Sequence, residues 1–106
     1  KHLNEIVITP KYDLKKCLPT FHQYIIRVKL RDKLIKYLEK QGIETAIHYP
    51  IPIHMQKAYF NNYKKIKLKK TELYSKQILS LPINYYITQA QQDYIINKIK
   101  NFYKNN

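Results

Sequence analysis

Apolar and polar residues alternate from position 21 to position 30, with Tyr24, Ile26, Val28 and Leu30 on one face and Gln23, Ile25, Arg27 and Lys29 on the other. That period of two predicts a strand whose first face is core. The period then changes. Leu34, Tyr37 and Leu38, widened by Ile35, recur at helical spacing, so Arg31 to Gln41 should form a helix packed on the sheet. Asp32 suits its positive end. Gly42, the only glycine, follows where a helix commonly leaves through a left-handed residue. Ile43, Thr45, Ile47 and Tyr49 then alternate with Glu44, Ala46 and His48, which predicts a second strand over 43–49. Pro50 and Pro52 end it, since neither can donate to a ladder.

Beyond the prolines the pattern is weaker. His54 to Phe60 is read as a short helix held by Met55, Ala58 and Tyr59, and the lysine-rich stretch Asn61 to Lys70 as a mobile loop. Thr71 to Gln77 reads as a helix with Leu73, Tyr74 and Ile78 inward, followed by a short strand from Ile78 to Leu81 that stops at Pro82. The last helix is the clearest. Thr88-x-x-Gln91 is a capping box, and Tyr94, Ile95, Ile99, Phe102 and Tyr103 form its stripe. The sum is an α+β fold (an α/β sandwich), a small sheet of about three strands with helices on one face.

Composition narrows the function classes. A chain of 106 residues is one domain, small for a whole enzyme. No apolar run approaches the roughly 20 residues of a membrane span. Lys1 to Asn4 do not open a signal peptide, because no apolar run follows, and the chain reads as a piece of a longer protein. The lone Cys17 excludes an internal disulfide and fits a reducing, cytoplasmic setting as a small apolar residue. The net charge of +13 raises nucleic acid as a partner. Yet only Arg27 and Arg31 are arginine, and the lysines are scattered, which reads as a solvated surface. A free-standing basic α+β module that binds nucleic acid or another polyanion remains the alternative reading.

The chemistry-bearing residues gather in one stretch. His48, Tyr49, Pro50, His54 and Gln56 lie on a turn stiffened by prolines, and Arg27 either pairs with an acidic group or faces water. One glycine rules out a Gly-rich phosphate loop. His48 and His54 are too few for a zinc site without recruiting Cys17 or Glu44, so no metal is expected. On spacing alone, His48 is more ordinarily a hydrogen-bonded structural residue than a catalytic one.

Gly42-Ile43 followed by His48-Tyr49-Pro50-x-Pro52-x-His54-x-Gln56 resembles the C-terminal region of the DegT/DnrJ/EryC1/StrS family of pyridoxal-phosphate-dependent sugar aminotransferases. His22-Gln23-Tyr24-x-x-Arg27-Val28, Arg31-Asp32-x-Leu34, Ile78-Leu79-Ser80-Leu81-Pro82-Ile83 and Thr88-x-x-Gln91-Gln92-x-Tyr94-Ile95-Ile96 are similar to its other signatures, in the same order. The resemblance implies the small C-terminal domain of a fold-type I aminotransferase, residues 21–106, with residues 1–20 as a linker from a large N-terminal domain.

It further implies pyridoxal 5′-phosphate held by that large domain, with no catalytic or cofactor-binding residue in this piece. The implied partners are a second subunit of a homodimer, a nucleotide-linked keto sugar and an amino donor such as L-glutamate, with no nucleic acid or membrane. His48, Tyr49 and Pro50 would contact substrate, and His54 and Gln56 would support the same wall. The nearest-looking subgroup aminates the 3-position of a UDP-linked 2-acetamido sugar for surface polysaccharide. Asn61 to Lys70 departs from the family in having neither glycine nor proline. Apolar surface is expected at Ile6-Val7-Ile8 and Tyr59-Phe60, and the least order at 1–18 and 61–70.

Overall fold

The chain was described by a computed structural model covering residues 3–63 and 65–106. Its elements run β1 (Tyr24–Arg27), α1 (Arg31–Lys40), a 3-10 turn (Ile53–Met55), α2 (Lys57–Tyr63), α3 (Lys69–Ser75), β2 (Ile78–Leu81) and α4 (Gln89–Lys104). β1 and β2 pair antiparallel, with Tyr24 opposite Leu81 and Ile26 opposite Leu79. Residues directly opposite share a face, so these four apolar side chains form one surface. Leu34, Leu38, Ile95, Ile99 and Phe102 from α1 and α4 close over it, joined by Leu3 and Val7. Removing each such side chain from water contributes about 1.5–3 kcal/mol, which makes this layer the source of the fold's stability.

The helix ends explain why α1 and α4 stop and start where they do. Gly42, at φ +70°, lets its N–H reach Glu39 O while Ile43 N–H reaches Leu38 O, the paired bonds that close a helix through a left-handed residue. Thr88 accepts from Gln91 N–H and Gln91 accepts from Thr88 N–H, so the capping box is formed. Two tyrosines of α4 then clasp α1 from outside. The Tyr94 hydroxyl donates to Gln41 O at 3.1 Å, and the Tyr103 hydroxyl donates to Lys29 O.

The α+β architecture is as expected, and four features differ in detail. The sheet has two strands rather than about three. Residues 43–49 do not form a strand: only Ala46 bridges to it, exchanging both backbone bonds with Ser80. The next antiparallel pair would match Glu44 with Pro82, which has no N–H to give. At the far edge Ile8 bridges Arg27, so Ile8 is partly exposed while Val7 is buried.

Leu30 is the second difference. It is exposed, at φ 52°, because it turns the chain into α1 instead of continuing β1. Third, the helix expected over 54–60 is split into the 3-10 turn and α2, and Met55, Ala58 and Tyr59 are exposed. Fourth, the expected loop at 61–70 is shortened by α2, which reaches Tyr63, and by α3, which begins at Lys69; Lys64 lies outside the described residues. α3 also starts before Thr71, and Leu73 is exposed, Tyr74 lies against Arg27 of β1, and Ser75 is its buried residue. Helices α2 and α3 have apolar side chains that nothing in the described chain covers.

Candidate functional site

The face of the sheet away from α1 and α4 carries Ile25 and Arg27 from β1 and Ile78 and Ser80 from β2. It is the more polar of the two faces, and the segment after residue 46 folds over it. Ala46 pairs with Ser80 through the backbone, and two residues later His48 places Nδ1 2.8 Å from the Ser80 hydroxyl. Residue 80 thus holds this segment twice, once by main chain and once by side chain. The Arg27 guanidinium lies 3.9 Å from the centre of the Tyr74 ring. Arg27 therefore neither pairs with an acid nor simply faces water; it stacks as a cation on an aromatic face.

Tyr49 does not sit in the strand expected over 43–49. Its side chain is 72 % exposed, because without a ladder at 47–49 the alternation has no sheet to be registered against. The peptide bond joining His48 to Tyr49 is cis, and the two rings meet edge-on with centroids 5.7 Å apart. Pro50 is exposed beside them. His48, Tyr49 and Pro50 form a ridge, anchored at His48 and open at Tyr49.

His54 is buried in the 3-10 turn and its Nε2 donates to Glu72 Oε1 of α3 at 3.1 Å. The same carboxylate oxygen accepts the Leu68 N–H at 2.9 Å, at the start of α3. Glu72 thus ties the turn to the helix and caps the helix as well. Gln56 does less: its amide donates to Ile51 O at 3.4 Å within the same loop. The structure brings His48 and His54 to one side of the sheet on separate anchors, Ser80 and Glu72. Neither anchor was identified from sequence, since a contact across 32 residues, or across 18, leaves no periodic trace.

The hydrogen bond from His54, aided by the Leu68 N–H and the nearby charge of Lys67, holds the Glu72 carboxyl below its ordinary pKa. A carboxyl whose folded pKa is depressed adds stability that is present above the unfolded pKa and lost as pH falls through the folded one. The acid limb of the unfolding curve should therefore carry a Glu72 contribution at pH values below the usual carboxylate range. Glu72→Gln keeps an acceptor oxygen but cannot ionise, so its acid limb should be flatter when helicity is followed during acid titration. Superimposable acid limbs for the two proteins would contradict this.

Two hollows, of about 590 and 520 Å³, lie beside the start of α4, and both are lined by Pro82, Ile87 and Ile95. Neither is lined by His48 or His54. No group of three or more potential metal ligands occurs among the described residues. No helix among them is long and apolar enough to cross a membrane.

The fold and the polar face define a small α+β domain with one apolar layer closed by its own helices and one polar side built from loop and α3. The sequence matches the description "DegT/DnrJ/EryC1/StrS aminotransferase family" over residues 1–100, and the chain belongs to that family. It is 38 % identical over 103 residues to a "Pleiotropic regulatory protein" of Geobacillus stearothermophilus, covering 96 % of this chain and 27 % of that one. It is 32 % identical to the dTDP-3-amino-3,4,6-trideoxy-alpha-D-glucose transaminase of Streptomyces venezuelae, covering 77 % of this chain and 22 % of the relative. A DegT DnrJ EryC1 StrS aminotransferase from Brucella abortus superimposes with a TM-score of 0.78 at 33 % identity, over 95 % of this chain and 27 % of that one. The chain spans about a quarter of the length of these relatives.

Pyridoxal phosphate, which the family implies, requires a lysine amine in a desolvated pocket. Among the described residues no lysine is buried; Lys98 and Lys100 are half-covered on α4 and the rest are exposed. The described residues do not fit that group.

Proposed function

We propose that this chain is the small C-terminal domain of a pyridoxal-phosphate-dependent aminotransferase that aminates a nucleotide-linked keto sugar for surface polysaccharide, including lipopolysaccharide. Residues 21–106 are that domain, and residues 1–20 lead in from a large N-terminal domain, with Leu3 and Val7 docked on the small domain's core. The larger domain supplies the cofactor and the lysine that bears it. The whole enzyme is a cytoplasmic homodimer that takes its amino group from L-glutamate.

The observation that carries the reading is the family match over residues 1–100 together with the anchored, outward ridge His48-Tyr49-Pro50. A polar ridge fixed from behind and uncovered in front suits contact with a ligand held by another surface. His48 and Tyr49 bind the sugar side of the substrate and Pro50 limits their movement. His54 and Gln56 stiffen the wall behind them. When bound, the cofactor supplies the electron sink for amino transfer; these residues orient the sugar against it. This domain alone is inert.

The test is direct. The intact protein should carry the cofactor's visible absorbance and transfer an amino group from glutamate to a nucleotide-linked keto sugar, while residues 1–106 alone should turn over nothing. Binding of the chain to duplex DNA should be micromolar or weaker at physiological salt and indifferent to sequence. A colourless intact protein, or a sequence-specific DNA complex that survives elevated salt, would replace this reading with a basic binding module.

A further inference from the structure

We infer that Ser80 is a positioning residue for His48, and that it sets His48 to present Nε2–H, a hydrogen-bond donor, to its ligand. The inference rests on the reading of His48 as a substrate contact and adds what that contact offers. Ser80 is buried, at 6 % exposure, on the polar face of β2. Its N–H and C=O are both taken by Ala46, at 2.8 and 3.2 Å, which fixes its backbone beside the segment that carries His48. Among the described residues the Ser80 hydroxyl has one partner, Nδ1 of His48, at 2.8 Å.

That accounting decides the direction of the bond. A neutral imidazole has one N–H donor and one bare nitrogen, and a hydroxyl has one hydrogen to place. If Nδ1 carried the proton, it would donate to Ser80 Oγ and leave the hydroxyl hydrogen with no acceptor inside a buried site. Leaving a buried donor unsatisfied is costly, whereas a hydroxyl that donates to a bare Nδ1 leaves nothing unmade. The hydrogen therefore runs from Ser80 Oγ to His48 Nδ1, and the ring proton resides on Nε2. No described residue bonds Nε2, and His48 is only half-buried. The ring accordingly offers an N–H to an oxygen acceptor such as a sugar carbonyl, a hydroxyl or a phosphate oxygen.

Histidine-selective ¹⁵N labelling of the intact protein, with the two-bond proton–nitrogen correlation read at each ring, tests this. His48 is assigned by the signal lost in His48→Gln. The expected wild-type pattern is Nε2–H. In Ser80→Ala it should move to a mixture of tautomers, and in Ser80→Thr, which restores a hydroxyl, it should return. Sugar turnover per kcat/KM should fall a few-fold in Ser80→Ala, more in the keto-sugar half-reaction than in the glutamate half-reaction, and recover in Ser80→Thr. An Nδ1–H pattern in the wild type, or a pattern unmoved by Ser80→Ala, overturns the inference. If the tautomer results hold but His48→Ala leaves the sugar half-reaction intact, the positioning stands and the substrate-wall reading fails.

Discussion

Replacing Ile99 by alanine should destabilise the domain by about 2–5 kcal/mol, the usual range for removing a fully enclosed aliphatic side chain and leaving a cavity. Ile99 is wholly buried in α4, within the layer formed by Ile26, Leu34, Leu38 and Leu79, all also wholly buried. These residues come from four different elements, so no single one can move into the space without disturbing the others. With roughly 4–8 °C of Tm per kcal/mol for a domain near this size, thermal unfolding should shift down by on the order of 8–40 °C. Tyr85→Ser provides the contrast. Tyr85 is 95 % exposed, and its replacement should stay within about 0.5 kcal/mol. Similar melting shifts in the two variants would mean that the core lies elsewhere.

The larger functional effect is expected at His48. In the intact protein, read as the aminotransferase proposed above, His48→Ala should leave folding and cofactor absorbance nearly unchanged, because the side chain lies on the polar face and outside the apolar core. One hydrogen bond to a neutral group contributes about 0.5–1.5 kcal/mol, so turnover of the keto sugar should fall a few-fold to roughly tenfold. Ser80 is left without its partner in this variant, and a small loss of stability should accompany the change. The glutamate half-reaction, which proceeds without the sugar, should change less. Measuring the half-reactions separately by the cofactor's spectrum gives the answer. Equal loss in both, or loss of the cofactor's absorbance, would make His48 a structural residue.

What could be read from the sequence was what is written locally. β2 agrees residue for residue with Ile78 to Leu81, because Pro82 cannot extend a ladder. The start of α4 was legible because Thr88 and Gln91 satisfy each other within one turn. Gly42 was legible for a related reason, a backbone angle that few other residues adopt cheaply. Residues 43–49 differ for a non-local reason. Alternation at 43–49 is real as a pattern, but a strand needs a partner with free N–H groups, and the partner edge beyond Ser80 meets Pro82.

Helices α2 and α3 misled in another way. Leu73, Tyr59 and Met55 look like core by composition, yet they are exposed, while Tyr74 packs under the Arg27 guanidinium. The proposed site residues rest on the motif His48-Tyr49-Pro50, but the side chains that anchor His48 and His54 leave no such mark in the sequence. Ser80 and Glu72 become visible only when chain segments distant in sequence are brought together.

The two tyrosine hydroxyls of α4 have a consequence for how the domain breathes. Tyr103 grips the carbonyl just before α1 and Tyr94 grips the one just after it, while Tyr37 and Phe102 pack between, with ring centroids 5.4 Å apart. Neither end of α1 can fray without releasing a bond to α4, and α4 cannot lift off without uncovering Leu34 and Leu38. The pair therefore opens as one cooperative unit, at a free energy close to that of global unfolding. α2 buries none of its side chains and α3 only Ser75, so both should open more often than this pair, α3 at the cost of its bonds to His54 and Arg31. Local opening is therefore expected first on the side of the molecule that carries His54 and its tether, over a base that opens only with the whole fold.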